Sequence, residues 1–242
     1  MITLAIDTAT RIAGIALMDD QGLLAEVSLQ GYMTQLRDLV PNIAWMLERS
    51  GIGIRDVGLV AIGRGPGSFT GLRIGMATGK GLAQVLGCPA VGVPTLDALA
   101  LAAVPDEGLV CSMIDARHNR VYAALYSAAQ SPAATEIMPG RLYRLGGYEA
   151  PELETLAERL SETGERIVLA GDGAAACGHI LQELLGNRIK PVLPENIWPR
   201  ASQIARIGAA SGERPIGRNI QPLAPLYIRQ SSAERELRCN GR

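Results

Sequence analysis

The chain has 242 residues, 48% of them hydrophobic and 19% charged, which suits a folded protein long enough for two small lobes with cores of their own. Lys and Arg number 23 against 24 Asp and Glu. That balance argues against a protein that grips nucleic acid unaided by surplus positive charge, so any RNA contact is expected to be shared with a partner. No apolar run is long enough to span a bilayer.

Met1 leads straight into Ile2-Thr3-Leu4-Ala5-Ile6-Asp7, which reads as a strand and not as a secretory leader. A second strand is expected at Ile12 to Leu17, a turn at Asp19 to Gly22 and a third strand at Leu23 to Leu29. From Gln35 to Ser50 the period becomes helical, with Leu36, Leu39, Val40, Ile43, Met46 and Leu47 on one broad face. Pro41 either kinks that helix or begins it. A buried strand at Val57 to Ile62 leads into a glycine-rich loop, Gly63 to Thr70. A helix over Thr70 to Leu86 follows, closed by Gly87. Ala90 to Val93 reads as a short strand, and Thr95 as the N-cap of a helix reaching Ala103.

The pattern then restarts. Leu109 to Asp115 is an apolar strand ending in Asp, followed by a turn and the strand Val121 to Tyr126. Ile6-Asp7 and Ile114-Asp115 stand 108 positions apart, each closing the first strand of a hairpin. The repeat predicts two related lobes, 1–104 and 105–242, each opening with a hairpin and continuing in strand–helix units. The fold class is therefore α/β, with mixed sheets flanked by helices. The second half continues with a helix over Pro151 to Leu160 and a strand at Arg166 to Ala170. Next come a turn at Gly171-Asp172-Gly173 and helices over Ala174 to Leu185 and Ala201 to Ser211. Pro215, Pro222 and Pro225 predict an irregular tail in which Leu226-Tyr227-Ile228 docks back on the first lobe. Arg229, Arg235 and Arg238 in that tail read as a solvated cluster.

Candidate chemistry lies at the hairpin turns. A turn such as Asp7-Thr8-Ala9-Thr10 can offer backbone N–H groups to a phosphate, with its Asp orienting a metal-bound water. It can equally be a tight turn whose Asp and Thr bond their own backbone. The second turn, Asp115-Ala116-Arg117, has no glycine to let a phosphate approach. In Gly171-Asp172-Gly173 an Asp stands where adjacent glycines would admit an adenosine. Asp7, Thr8, Asp115, Gly171 and Gly173 therefore read as remnants of nucleotide-binding turns. The loop Gly63-Arg64-Gly65-Pro66-Gly67-Ser68-Phe69-Thr70-Gly71 is either an anion cradle or a structural turn, and it lacks the Walker order.

The helix after that loop carries Gly71, Gly75, Gly79, Ala83 and Gly87 at spacing four. Its internal glycines, Gly75, Gly79 and Gly81, weaken it by ~3 kcal/mol in all. Close packing of another backbone would offset that, either the chain's own sheet or a helix of another chain. The two histidines, His118 and His179, have no neighbouring carboxylate, and there is no HxxxH, HExxH or GxSxG. Cys88, Cys111, Cys177 and Cys239 show no CxxC. No metal site is expected, and the thiols read as reduced and cytosolic.

The blocks Ala5-Ile6-Asp7-Thr8-Ala9-Thr10, Gly63 to Gly75, Gly92-Val93-Pro94-Thr95-Leu96 and Ile114-Asp115-Ala116-Arg117 resemble the TsaB (YeaZ) family, closely over the first ~125 residues and loosely beyond. The resemblance implies a two-lobed fold of the actin, Hsp70 and sugar-kinase class. It also implies an accessory, non-catalytic subunit of the cytoplasmic machinery that threonylcarbamoylates adenosine 37 of tRNA. The implied partners are a TsaD-type catalytic subunit and a TsaE-type ATPase, with ATP and metal on those subunits and tRNA met only through the complex. TsaD carries a histidine pair on the first long helix, and many TsaB relatives have one His before it. This chain has none between Gln30 and Leu47, and Met33-Thr34-Gln35 stands before the helix.

Pairing of the two proteins through equivalent helices is also implied. It makes Leu36, Leu39, Val40, Ile43, Leu72, Gly75, Met76, Gly79 and Ala83 the expected contact face. Self-association through the same face stays open. So does an independent actin-fold phosphotransferase or hydrolase of the kind once filed with glycoproteases.

Overall fold

A meander of three strands opens the molecule: β1 (Ile2–Asp7) pairs antiparallel with β2 (Ile12–Asp19), and β2 with β3 (Gly22–Gln30). Asp19 makes the second turn, its Oδ1 accepting from the N–H groups of Gln21 and Gly22 at 2.8 and 3.0 Å. The structure, a computed structural model, describes residues 1–30, 34–117, 119–211 and 223–229, with the backbone alone at 34–36.

Two crossovers complete the first sheet. α1 (Thr34–Arg49) runs through Pro41 without a break and leads to β4 (Val57–Gly63), parallel to β1. α2 (Phe69–Leu86) leads to β5 (Ala90–Val93), parallel to β4, giving the order β3-β2-β1-β4-β5. Ser68 caps α2, its Oγ accepting from Gly71 N, and Gly87 ends it with φ 67°. α3 (Thr95–Ala103) then crosses to the second sheet. Pro94, not Thr95, holds the N-cap position, its backbone extended and Thr95 already helical, with the Thr95 hydroxyl near Asp7.

The second sheet repeats the plan. β6 (Leu109–Asp115) pairs antiparallel with β7 (Val121–Ser127), and β10 (Ile167–Ala170) lies parallel to β6 as β4 does to β1. Three strands were not expected from the sequence: β8 (Thr135–Met138), β9 (Leu142–Glu149) and β11 (Ile189–Lys190). The order is β11-β10-β6-β7-β9-β8. α4 (Leu153–Glu162) precedes β10, and α5 (Asp172–Leu185) follows it. The expected turn at Gly171-Asp172-Gly173 is in fact the helix start: Gly171 is the N-cap, and its φ of 100° favours glycine.

Three apolar clusters set the layers. α1 and α2 cover one face of the first sheet, burying Leu39, Ile43, Met46, Met76 and Ala83 against Leu4, Ile6, Leu17, Val60 and Ile62. A fully buried Leu or Ile contributes about 1.5–3 kcal/mol, so this cluster anchors both helices. α4 and α5 cover the outer face of the second sheet. Between the sheets lie α3 and α6 (Ala201–Ala210), whose Ala201, Ile204 and Ala205 meet Ala5, Ala16 and Ala61 of the first sheet. α6 thus packs on the first sheet although it follows the second in sequence. Glu26 of β3 fixes its start, accepting from Ser202 N at 2.9 Å and Ser202 Oγ at 3.0 Å. No helix among the described residues is long and apolar enough to cross a membrane.

Candidate functional site

The first hairpin turn is built from inside. Asp7 and Thr8 are each 1% exposed. Asp7 Oδ1 accepts from Ala9 N at 2.9 Å, Thr8 Oγ1 donates to Gly71 O at 2.7 Å, and Ser68 N donates to Ala9 O at 2.7 Å. The glycine-rich loop and the first turns of α2 therefore close over the turn, leaving its Asp and Thr engaged with protein. The close approach explains the glycines: a Cβ on Gly71 or Gly75 would collide with Thr8, and one on Gly63 would lie 2.5 Å from Asp7 Oδ1. Burial raises the Asp7 pKa to about 6, although backbone N–H groups and the Thr95 hydroxyl offset part of the desolvation. Neither Asp7 Oδ2 nor Thr95 Oγ1 has a hydrogen-bond partner of good geometry among the described residues.

The second turn uses the same device in the open. Asp115 Oδ1 accepts from Arg117 N at 2.8 Å, but Asp115 is exposed. Asp172 at the start of α5 reaches across, its Oδ1 accepting from Asp115 N at 3.1 Å. Burial raises the Asp172 pKa and the Asp115 charge adds to that, while the charge of Arg11 opposes it. Gly171 and Gly173 lie against the backbone of Met113 and Ile114. Asp172 thus ties the start of α5 to the second turn, and the glycines beside it let the helix start approach the end of β6. Among the described residues, no group of three or more His, Cys, Asp or Glu is gathered as a metal would require; His118 lies outside them.

One polar centre was missed by sequence reasoning. Asp97, 2% exposed on the otherwise apolar α3, accepts from Tyr126 Oη of β7 at 2.7 Å and Tyr148 Oη of β9 at 2.9 Å. Arg144 stacks over the Tyr148 ring and hydrogen-bonds its hydroxyl. Desolvation raises the Asp97 pKa to about 6 despite both tyrosines and the charges of Arg144 and Arg64. A lone Asp in Thr95-Leu96-Asp97-Ala98-Leu99 was the available signal, but its partners lie 29 and 51 residues away. The network fastens α3 to the second sheet.

The expected contact face needs correction. Leu72, Gly75, Met76, Gly79 and Ala83 are buried, as are Leu39 and Ile43 of α1; only Val40, 55% exposed, faces outward. A Cβ on Gly79 would meet Ile62 Cδ1 at 2.5 Å, so the glycine row packs against the chain's own sheet. The side chain of Leu36 lies outside the described residues.

α2 has a second row at spacing four on its other side: Arg73, Ala77, Gly81 and Val85, all exposed. Val85 is 85% exposed, and a Cβ on Gly81 would meet nothing within 4 Å. Val40 and Trp45, 49% exposed, lie on the outer side of α1, which shares the same core cluster. Ordinary packing within the chain explains the inner glycines and leaves Gly81 unexplained.

The described part of the tail returns to the first lobe. Leu226 N donates to Arg64 O at 2.7 Å, Lys80 Nζ to Leu223 O at 2.7 Å, and Tyr227 stacks on Phe69 with ring centroids 5.2 Å apart. Arg229 Nη1 also donates to Ala116 O in the second lobe, at 3.3 Å. Pro215, Pro222, Arg235, Arg238 and Cys239 lie outside the described residues.

Known proteins share this architecture. The family model described as "TsaD: tRNA N6-adenosine threonylcarbamoyltransferase" matches residues 34–237. The chain is 41% identical to the Escherichia coli tRNA threonylcarbamoyladenosine biosynthesis protein TsaB, over 98% of each chain. It is 27% identical to the Bacillus subtilis protein of the same name, over 97% of this chain and 96% of that one. Among solved structures, YeaZ from Pseudomonas aeruginosa superposes with a TM-score of 0.70 at 25% identity, covering 93% of this chain and 99% of that one. The ethanolamine utilization protein EutJ from Carboxydothermus hydrogenoformans, with a TM-score of 0.54 and 12% identity over 86% and 90% of the two chains, shares the fold alone. The fold is the two-lobed actin-like one.

Proposed function

The chain belongs to the TsaB (YeaZ) family, with a role in tRNA threonylcarbamoyladenosine biosynthesis, and on that premise we propose that it is a non-catalytic subunit that docks a TsaD-type catalytic subunit through the outer faces of α1 and α2. The observation that carries this reading is Gly81. A glycine inside a helix costs about 1 kcal/mol relative to alanine, and no atom of the described chain requires one there. Close approach of a second helix backbone supplies the reason, as ridges at spacing four interlock. Val85 on α2, and Val40 and Trp45 on α1, add exposed apolar side chains that a monomer would leave wet.

The engagement of Asp7 and Thr8 by α2, and of the Asp115 turn and its neighbours Gly171 and Gly173 by the start of α5, supports the view that this chain needs no nucleotide or metal of its own. ATP and metal then belong to the catalytic subunit and a TsaE-type ATPase, and the work is cytoplasmic. The near-neutral charge supports tRNA contact through the complex and not by this chain alone.

Reconstitution tests the reading. Catalytic subunit, ATPase component, threonylcarbamoyl-adenylate and tRNA are assayed with and without the chain. Modification is expected only when the chain is present, with no ATP turnover or tRNA modification by the chain alone. Turnover by the isolated chain would favour a self-sufficient phosphotransferase or hydrolase.

A further inference from the structure

Arg73 heads the outer row of α2, and its guanidinium lies 3.8 Å above the centroid of Phe69. Phe69 is itself braced by Tyr227, whose ring is 5.2 Å away at 34°. The segment carrying Tyr227 is pinned at two points just before it, by Lys80 on Leu223 O and by Leu226 N on Arg64 O. Among the described residues the ion pairs join the Met1 amino group to Asp20, Arg37 to Asp38, Arg120 to Glu152 and Arg159 to Glu149. None includes Arg73. We propose that Arg73 is the polar anchor of the outer α2 row, held ready by Phe69 and the C-terminal segment to take a carboxylate of the docking protein. The proposal rests on the reading that a protein docks on α1 and α2.

The chemistry favours a carboxylate. A guanidinium stacked on a ring is restricted in rotation yet keeps its edge N–H groups outward, in the fork that a carboxylate meets with two parallel bonds. Arginine beside apolar surface is among the residues that dominate protein interfaces. RNA is the weaker fit. Its backbone needs several cations together, whereas Arg73 continues into Ala77, Gly81 and Val85.

The test measures affinity of the full chain for the catalytic subunit by calorimetry, at roughly 0.05 and 0.5 M salt, where screening differs strongly. Arg73→Met is expected to weaken binding about 10- to 100-fold, the range of an interface anchor, and to remove most of its salt dependence. Arg73→Lys keeps charge without the planar fork and should recover only part of the affinity. Tyr227→Ala should weaken binding by a smaller factor at unchanged melting temperature, since Arg73 loses its brace. Gly81→Leu is run alongside. If Gly81→Leu abolishes binding while Arg73→Met binds like wild type at both salts, docking stands and the anchor is wrong. If neither variant weakens binding, the docking reading fails and takes the anchor with it. If Arg73→Met leaves affinity intact but lowers tRNA retention by the assembled complex, the arginine serves RNA phosphate, which also overturns the proposal.

Discussion

Gly79 and Gly81 are two residues apart on α2 and face opposite ways: a Cβ on Gly79 would lie 2.5 Å from Ile62 Cδ1, while one on Gly81 would touch nothing within 4 Å. Two residues turn a helix by ~200°, so one glycine faces the sheet and the other solvent. Substitutions should separate them. Gly79→Leu forces α2 off the sheet and is expected to cost ~1–3 kcal/mol or more, as overpacking does. Gly81→Ala should raise stability by about 0.5–1 kcal/mol, because alanine suits a helix and no clash opposes it. Urea unfolding reads both. A destabilised Gly81→Ala would mean that the site is not open.

The protonation of Asp7 gives a pH prediction. Its folded pKa of about 6 lies above the ordinary 3.8, so the folded state holds the proton more tightly than the unfolded chain. Between pH 4 and 6 the folded state therefore binds more protons, and this group's contribution to stability falls as pH rises through that window, by up to ~3 kcal/mol, levelling off above it. Asp97, also raised to about 6, acts in the same direction. Asp7→Asn keeps the oxygen that accepts from Ala9 N and offers an N–H to the neighbouring Thr95 hydroxyl. At pH 7 it should be neutral or stabilising, and the fall between pH 4 and 6 should shrink. Urea midpoints across that range check it; a large loss of stability at pH 7 would contradict it.

Nucleotide binding offers a third check. Asp172 and the glycines beside it tie the start of α5 to the second-lobe turn. Titration of the isolated chain with Mg-ATP should show no tight site, and Asp172→Gly should not create one, since Asp7 and Thr8 remain covered by α2. Tight binding with turnover by the wild-type chain would contradict this.

Much of this was legible in the sequence, for reasons of periodicity. The hairpin ending in Asp7 and its counterpart at Asp115 stand out because apolar strands stop abruptly at a carboxylate. The Asp then bonds the N–H two residues on in both turns. β9 was not legible because Gly146-Gly147 interrupts its apolar pattern, and β11 is only two residues long. The inner glycine row of α2 showed that something packs closely, but spacing alone cannot say whether that is the chain's own sheet. Only the fold puts Gly75 on Thr8 and Gly79 on Ile62, which leaves the row of Arg73, Ala77, Gly81 and Val85 as the exposed side of the helix. Asp97 was hidden because its tyrosines lie on strands of the second sheet, 29 and 51 residues further along the chain.

The start of α6 is held by a side chain of the first sheet. Glu26 clamps it, accepting from both N and Oγ of Ser202. Glu26→Ala should cost ~1–2 kcal/mol, as loss of a capping acceptor does, with partner affinity unchanged. A drop in affinity without loss of stability would instead tie β3 to the docking face.

Docking through the outer row of α2 stands or falls on Gly81. Its most direct test is the dissociation constant of Gly81→Leu with that subunit, measured by calorimetry beside wild type. A bulky side chain there should separate the helices and weaken binding about 5- to 150-fold, the equivalent of ~1–3 kcal/mol, while the melting temperature of the isolated chain holds. A folded Gly81→Leu chain that binds as tightly as wild type would contradict it.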